Sequence, residues 1–330
     1  KLKIISNELQ RYKKEHNLID FNDMILEFTK SDVAVPKFEV VFIDEAQDLS
    51  RMQWDMAKAI WQKTNDSFIA GDDDQAIFRW AGADVDSFIA QEGQMLPLQQ
   101  SYRIPAKVHG LAMSIINKIK TRINKSWNPK IHQGSLSRYD DFEDINMSSG
   151  EWLVLARTKY MLDKLEPTLY ESGYYYNNKF KKQKEHTLHM AALDWENARK
   201  GAPLSYDQVQ RIYGYMNVDK NKLKSMTKDG MYDIATLKKD YNLKTDTVWF
   251  EAFDAAPRRE VNYLKQMRRR GEKLNEAPRI TLSTIHGAKG GEAENVVLLT
   301  DLSFNTMRSY EKNPDDENRL FYVGATRTKE

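Results

Sequence analysis

Two adjacent carboxylates, Asp44 and Glu45, are the first residues in the chain whose types and position suggest chemistry. They follow the apolar run Val-Val-Phe-Ile at 40–43, which is typical of a buried strand. In open parallel sheets ligands bind beyond the carboxyl ends of the strands, so we expect both acids to face a ligand crevice. One carboxylate could hold Mg²⁺ against nucleotide phosphates while its neighbour polarises an attacking water. The alternative is an ordinary strand that ends in a solvated acidic turn.

A second short strand, at 67–70, leads into three successive aspartates at 72–74 and then Gln75. Adjacent aspartates repel one another unless a cation or backbone donors lie nearby, so the loop predicts such partners. Phe78 and Trp80 follow, and their spacing would place both rings on one side of an extended segment. The rings could pack in a core or form a platform on which nucleotide bases stack.

Three further clusters carry polar side chains at predicted turns. Tyr102 and Arg103 precede Pro105, which keeps the segment extended, and such a pair can stack on a purine and bind phosphate. A glycine-rich turn offers donors to phosphate or ribose from Thr284, His286 and Lys289. Arg327 lies near the end of a helical pattern, where it could instead interact with the helix dipole or solvent.

Composition sets the class of protein. The 330 residues suffice for two or three domains, and 41% are hydrophobic, which predicts a globular chain. Lys plus Arg number 50 against 48 Asp plus Glu, so net charge favours no partner class. The absence of cysteine excludes disulfides and thiolate metal sites, and together with the lack of a signal peptide or long apolar run it predicts a cytoplasmic protein. The chain starts inside a charged helical pattern and stops at Lys329-Glu330 without a terminating signal, which predicts a fragment or the ordered part of a longer protein.

The elements that must position these residues follow an α/β pattern. Helical periodicity occurs at 1–31, 51–63, 106–119 and 160–171, and strand-like runs occur at 152–156 and 295–300. The α/β pattern returns at 279 after the polar span at 179–278. The span 179–278 is polar and mostly helical in period. It carries basic residues at 179, 181, 182, 184 and 268–270. A solvated insertion is the simpler interpretation, and a surface for duplex phosphates is the alternative.

Five blocks in this order closely resemble the motifs of the UvrD/Rep-type superfamily 1 DNA helicases. They lie at 43–48, 71–75, 100–103, 284–290 and 322–327. The resemblance implies an α/β fold of the P-loop NTPase type, with two RecA-like parallel-sheet domains and a mostly helical insertion in the second. It implies an incomplete first domain at 1–93 with a helical segment at 1–35, a second domain at 94–185 and 279–330, and a 2B-like insertion at 186–278.

The resemblance also implies ATP and Mg²⁺ as cofactors and assigns roles to residues that match the motifs. The implied ATP site comprises the Mg²⁺ ligand Asp44, the general base Glu45, the γ-phosphate sensor Gln75, the adenine-stacking Tyr102, the arginine fingers Arg103 and Arg327, and the ribose-binding Glu292. Phe78 and Trp80 match aromatics that stack on DNA bases. Further DNA contacts are expected from Thr284, His286 and Arg157.

The chain departs from the family pattern at several positions. It has Phe-Arg-Trp-Ala-Gly at 78–82 where the family usually has Tyr-Gly-Trp-Arg-Gly, Ser101 where Asn is usual, and Ile104 where Ser is usual. No Gly-x-x-x-x-Gly-Lys-[Ser/Thr] motif occurs, so the phosphate-cradling loop is missing. We expect truncation to explain this gap, and we expect the fragment alone to be inactive.

The implied function is that of an ATP-dependent helicase that translocates 3′ to 5′ on single-stranded DNA. The expected partners are single-stranded DNA and junctions with duplex, and the expected setting is replication, repair or recombination in a bacterium or phage-infected cell. A monomer is expected. The alternatives are a subunit of a helicase-nuclease complex, a non-catalytic DNA-binding or scaffold protein that retains the fold, and an RNA helicase.

Overall fold

A computed structural model describes residues 2–31, 35–181, 187–273 and 276–329. The fold is mixed α/β with parallel sheets, as the sequence pattern predicts. The basic residues at 182 and 184, and the predicted start of the insertion at 186, lie outside the described residues. Among the described helices, none has the length and apolar character needed to cross a lipid bilayer.

Helices and strands alternate through most of the chain. The helices among the described residues are α1 (Leu2–Glu15), α2 (Phe21–Lys30), α3 (Arg51–Trp61), α4 (Val85–Ile89), α5 (Ala106–Ile116), α6 (Lys159–Glu171), α7 (Thr187–Arg199), α8 (Tyr206–Tyr213), α9 (Ile234–Asp240), α10 (Trp249–Ala252), α11 (Arg258–Arg269), α12 (Phe304–Lys312) and α13 (Pro314–Ala325). The strands are β1 (Val40–Ile43), β2 (Asp66–Ile69), β3 (Trp152–Ala156), β4 (Tyr176–Asn178), β5 (Leu204–Ser205), β6 (Met231–Tyr232), β7 (Ile280–Thr284) and β8 (Asn295–Leu298).

The described chain forms two compact units. The first unit comprises Lys1–Ser137, Ile285–Glu292 and Thr300–Glu330, and the second comprises Arg138–Thr284 and Ala293–Leu299. The first unit therefore contains four of the five motif blocks and most of the fifth. The predicted division into domains and insertion stays a prediction.

Short local signals begin the helices of the first unit. Asp20 accepts hydrogen bonds from the N–H groups of Asn22 and Asp23, and the Asp23 carboxylate caps the N–H of Asp20 in return. Ser50 and Gln53 form the same reciprocal box before α3. Such boxes satisfy backbone donors that have no partner within the helix. The prediction that Asp and Asn near residue 20 begin a helix is confirmed.

The sheet of the first unit pairs β1 with β2 in parallel, with Val40 opposite Asp66 and Ile43 opposite Ile69. The prediction that β1 is buried is wrong. Phe42 is 75% exposed and stacks on Phe68 at a centroid distance of 5.0 Å. A strand is buried only when a layer covers each face, and these exposed rings mark an uncovered face. The register still brings the carboxyl ends of both strands to one edge.

The second unit contains a larger parallel sheet. Among the described residues its strand order is β4-β7-β3-β8, and β3 and β7 are central and largely buried. Strand β3 is the predicted strand at 152–156, and helix α6 packs against it. A separate core lies among the helices between α7 and α11, around the buried rings of Trp195 and Phe253. The antiparallel pair β5 and β6 adds two residues of strand each to this helical part.

Candidate functional site

The end of β1 places Asp44 and Glu45 on an exposed turn, as the sequence predicts. Glu45 has φ +51° and ψ +36°, a left-handed conformation that costs a side-chain-bearing residue about 1–2 kcal/mol. The Asp44 carboxylate accepts the N–H of Glu45 at 2.8 Å, and the following residues form a 3₁₀ turn, Ala46–Asp48. Strained backbone held in this way is typical of functional sites. We call residues 44–48 the carboxylate loop.

Gln47 is a buried link that the sequence analysis missed. Its Nε2 donates to Glu45 Oε2 at 2.5 Å, and its Oε1 accepts the N–H of Asp72 at 2.9 Å. A Cβ at Gly71 would lie 2.6 Å from Gln47 Oε1, so the glycine makes room for this amide. The only sequence signal was the position of Gln47 within the first motif block. Gln47 thus fixes Glu45 relative to the loop that follows β2.

The aspartate loop, residues 72–75, contains the cations that the sequence predicted. Arg122 donates to both oxygens of the buried Asp74 carboxylate at 2.8 and 2.6 Å. The Lys125 ammonium lies 3.0 Å from oxygens of Asp72 and Asp74 and also bonds Asp73. Burial opposes ionisation of Asp74, but the Arg122 hydrogen bonds and the Lys125 charge hold its pKa below the ordinary value.

This neutralisation decides whether the three aspartates form a metal site. Within the described part of the chain they are close enough together to hold a cation. The Lys125 ammonium already bonds all three carboxylates, so the loop needs no metal for charge balance. Buried Arg319 adds a further link, donating through Nε to the Asp73 carbonyl at 2.8 Å. No local sequence signal marks Arg122, Lys125 or Arg319, because their partners lie far away along the chain.

Gln75 lies between the aspartate loop and Arg327. Its Nε2 donates to Asp72 Oδ2 at 2.8 Å, and its Oε1 accepts a long hydrogen bond of 3.4 Å from Arg327. Arg327 is only 2% exposed, and its Nε donates to the carbonyl of Val323 within the same chain segment. Burial, with a smaller effect from the nearby Arg103 charge, lowers the pKa of Arg327 to about 10. The structure therefore brings together three residues predicted from separate motif blocks.

Arg103 lies on a turn that Ser101 shapes. The Ser101 hydroxyl accepts the N–H groups of Arg103 and Ile104 at 3.3 and 3.1 Å, so serine fills the turn-forming role at this position. Arg103 donates to Glu292 at 3.4 Å, while its buried Nε has no hydrogen-bond partner among the described residues. An unpartnered buried donor costs free energy, which an anionic ligand would relieve.

A shallow depression surrounds these groups. It is lined by Ser101, Tyr102, Arg103, Lys130, Glu292 and Lys329. Tyr102 is 88% exposed and can stack on a ligand, and the Lys329 ammonium lies 3.1 Å from Glu292 Oε1. The hydrogen bond from Lys329, with a smaller one from Arg103, holds the pKa of Glu292 below its ordinary value. The predicted adenine and ribose residues therefore share one surface with a predicted arginine finger.

Three predicted DNA-contact residues form an aromatic cluster, comprising Phe78, Trp80 and His286. The ring centroids of Phe78 and Trp80 lie 6.4 Å apart, and His286 lies 6.2 and 5.9 Å from them. Trp80 is 74% exposed. The expectation of an extended segment is wrong, because the residues Arg79–Ala81 form a 3₁₀ turn. The exposed Trp80 ring suits base stacking, and the partly buried rings of Phe78 and His286 lie beside it.

Two predicted DNA contacts belong to the second unit. Thr284 is the last residue of β7 and pairs in register with Ala156, so Arg157 follows at the same edge of the sheet.

Arg79, the displaced arginine of the family pattern, forms an ion pair of 2.9 Å with Asp86 and approaches Asp316 at 4.0 Å. Its charge is therefore balanced within the first unit.

The basic run at 268–270 is exposed, but two of its arginines also contact aromatic rings. The Arg270 guanidinium lies 4.1 Å from the Tyr174 ring centroid, and Arg268 lies 5.7 Å from that of Trp249. Such cation–π contacts stabilise packing by about 0.5–2 kcal/mol. Part of this basic surface therefore has a structural role.

Parallel sheets with carboxylates beyond a strand end and arginines beside them are typical of α/β proteins that bind nucleoside triphosphates. Residues 1–95 match the UvrD/REP helicase N-terminal domain, and residues 279–330 match the UvrD-like helicase C-terminal domain. These two segments are similar to UvrD-like superfamily 1 helicases, which confirms the resemblance seen in the five blocks.

Individual relatives agree with this assignment. The chain is 25% identical over 208 residues to ATP-dependent DNA helicase PcrA of Bacillus subtilis, covering 53% of this chain and 28% of that protein. It is 30% identical over 149 residues to ATP-dependent DNA helicase srs2 of Schizosaccharomyces pombe, covering 42% and 17%. A probable DNA helicase II homolog of Rickettsia felis is 27% identical over 172 residues, covering 47% and 26%. The matches span less than a third of each relative.

Proposed function

We propose that this chain carries part of the ATP site and a single-stranded DNA site of an ATP-dependent DNA helicase. The observation that carries the proposal is the convergence of Arg327, Gln75 and Arg103. The Arg103 charge lowers the pKa of buried Arg327, and the Arg103 Nε is buried without a partner in the described residues. Two guanidinium groups that repel each other favour an anion between them, and a triphosphate is such an anion.

The carboxylate loop supplies the complementary half of the chemistry. Glu45, fixed by Gln47, is the general base that orients the attacking water, and Gln75 senses the γ-phosphate. Mg²⁺ fits Asp44 by the chemistry of its donor, because the carboxylate is exposed at a strand end and Mg²⁺ prefers carboxylate oxygen with phosphate and water. When bound, Mg²⁺ neutralises charge on the phosphate oxygens. Tyr102 stacks on adenine, and Glu292 binds the ribose hydroxyl.

The proposed DNA site of the first unit is the aromatic cluster. In the second unit, Thr284 and Arg157 are proposed as DNA contacts in their own right. The proposed translocation is 3′ to 5′ along single-stranded DNA, and the proposed substrate is a junction of single strand with duplex. The proposed working form is a monomer. The proposed setting is replication, repair or recombination in a bacterium or phage-infected cell. The names of the relatives and the motif blocks support ATP-dependent DNA helicase activity. The proposed architecture is two RecA-like domains, at 1–93 and at 94–185 with 279–330, and a helical insertion at 186–278.

Binding of a fluorescent dT20 strand to the 330-residue chain, followed by fluorescence anisotropy, tests the DNA site. Trp80→Ala should weaken binding about tenfold, because stacking contributes about 1–3 kcal/mol per base. Phe304→Ala is the matched control, since Phe304 is 77% exposed in the same unit but outside the aromatic cluster. Equal losses in both variants would contradict the proposal. An rU20 strand in parallel distinguishes DNA from RNA as the substrate.

ATP hydrolysis separates an enzyme from a scaffold. The chain contains no phosphate-cradling lysine motif, so the 330-residue polypeptide alone should show no DNA-stimulated hydrolysis. Measurable stimulated hydrolysis by this polypeptide would contradict that expectation. If its complete coding sequence encodes the motif, the product should hydrolyse ATP in a DNA-dependent way. A complete protein that binds DNA but has neither motif nor hydrolysis would be a scaffold.

A further inference from the structure

Lys289 lies where the carboxylate loop meets the aspartate loop. Its ammonium bonds the Asp48 carboxylate, lies 3.4 Å from Glu45 Oε2, and donates to the Gln75 carbonyl at 3.1 Å. The side chain is only 11% exposed. A buried ammonium is costly unless acceptors surround it, and these three oxygens match its three N–H donors. The Lys289 charge is therefore bound to both the general base and the backbone of the γ-phosphate sensor.

The same ammonium also contacts the aromatic cluster. It lies 5.2 Å from the centroid of Phe78, within the range of a cation–π interaction. Lys289 follows the 3₁₀ turn His286–Ala288, and its N–H donates to the His286 carbonyl at 3.3 Å. A shift of the His286 turn therefore moves the backbone of Lys289. One side chain thus touches both candidate sites of the first unit.

The Asp48 pair is incompletely satisfied. Asp48 Oδ1 is buried and has no hydrogen-bond partner among the described residues, so only one carboxylate oxygen holds the ammonium. The ammonium has competing neighbours: Glu45 on the carboxylate side and the Phe78 ring on the DNA side. A base that stacks on Phe78 changes the ring's contact with Lys289, and this alters the balance between those neighbours.

We propose that Lys289 is a positioning residue that couples occupancy of the aromatic cluster to the placement of Glu45. The inference rests on the proposed DNA site and adds a residue that transmits its occupancy. Coupling between two sites is reciprocal: if DNA changes the contacts of Lys289 with the carboxylates, changing the carboxylates must change DNA affinity. This reciprocity allows a binding test that requires no hydrolysis.

A double-mutant cycle between Asp48→Asn and Lys289→Met tests the coupling, with dT20 affinity of the 330-residue chain as the readout. Asp48→Asn should tighten binding about fivefold, because it removes the anion that holds the ammonium away from the cluster. Lys289→Met should weaken binding, and Asp48→Asn should change it less than about twofold in the Lys289→Met background. Asp55→Asn is the control, since it removes the same negative charge as Asp48→Asn but at a position on α3, where Asp55 pairs with Arg51 and not with Lys289.

Several outcomes overturn the inference. One is that Asp48→Asn changes dT20 affinity equally with and without Lys289, and another is that Asp48→Asn and Asp55→Asn change it equally. Either result would mean that the loss of a negative charge alone explains the change in affinity. Circular dichroism checks folding, and Lys289→Gln replaces Lys289→Met in the cycle if the methionine variant unfolds. Lys289→Arg keeps the charge and should retain the Asp48→Asn effect. If the unaltered chain does not bind dT20, the proposed function and this inference both fail. If it binds and Trp80→Ala weakens binding while the cycle is additive, only the coupling fails.

Discussion

The carboxylate loop and the aspartate loop are two acidic segments of one unit, and the structure balances their charge differently. Asp74 is 0% exposed and has Arg122 and Lys125 as partners, whereas the Glu45 side chain is 64% exposed and lies 3.4 Å from one ammonium. In the aspartate loop the chain provides the cations. In the carboxylate loop the neutralisation is partial, and a ligand cation can complete it. The origin of the counter-charge, and not the number of acids, distinguishes a structural loop from a candidate catalytic one.

The largest effect expected from changing either loop is on stability and concerns Asp74. Asp74→Ala should lower the free energy of unfolding by about 3 kcal/mol, because it leaves Arg122 and Lys125 partly buried without their shared anion. Asp44→Ala, at an exposed carboxylate, should change it by less than about 0.5 kcal/mol. Urea unfolding followed by circular dichroism measures both. Similar losses in the two variants would remove the distinction between the loops.

A smaller effect is expected on nucleotide affinity. Arg327→Ala should weaken binding of a fluorescent ATP analogue about tenfold or more, since a hydrogen bond to a charged group contributes about 1.5–3 kcal/mol. Arg308→Ala provides a control, because Arg308 is an exposed arginine on α12 in the same unit. A fluorescence titration with each variant gives the two dissociation constants. If Arg327→Ala binds the analogue as well as the control does, Arg327 does not contact the phosphates.

The two loops should also differ in the sign of their pH dependence. The pKa of Asp74 is lowered, so its stabilisation is present above the ordinary carboxyl pKa of about 4 and is lost as pH falls through the folded value. Burial raises the pKa of Asp48, despite the Lys289 hydrogen bond, so its ionised form opposes folding and protonation relieves that penalty as pH falls. Urea midpoints from pH 7 to 3 should therefore fall less steeply in Asp74→Asn and more steeply in Asp48→Asn than in the unaltered chain. Shifts of the same sign would contradict the assignment.

Local patterns predicted the elements that local interactions build. The capping signal at Asp20 acts within four residues, and the helix it begins is present. The helical periodicity at 51–63 likewise predicted α3. The exposure of β1 was not predictable, because the exposure of a strand depends on which other elements cover the sheet. Phe42 belongs to an apolar run in the sequence but is exposed in the structure.

The same distinction applies to the candidate site. Arg103, Gln75 and Arg327 were identified because each lies in a motif block, and the structure brings them to one place. The aspartates at 72–74 predicted that cations must lie nearby, but not that Arg122 and Lys125 provide them, about fifty positions along the chain. Such pairings depend on tertiary contact, and a single sequence carries no local signal for them.

The smallest expected effect concerns the strand that carries the carboxylate loop. Phe42→Ala should cost less than about 1 kcal/mol of unfolding free energy, the range of a cross-strand aromatic pair, since the ring is already exposed to solvent. Trp54→Ala, which removes a fully buried ring in the same unit, should cost about 3–5 kcal/mol. Urea unfolding of both variants makes the comparison. A large loss for Phe42→Ala would mean that its face of the sheet is covered in solution, and that the end of β1 is more rigidly held than its exposure indicates. A small loss would mean that Glu45 is held chiefly by Gln47 and by its own turn.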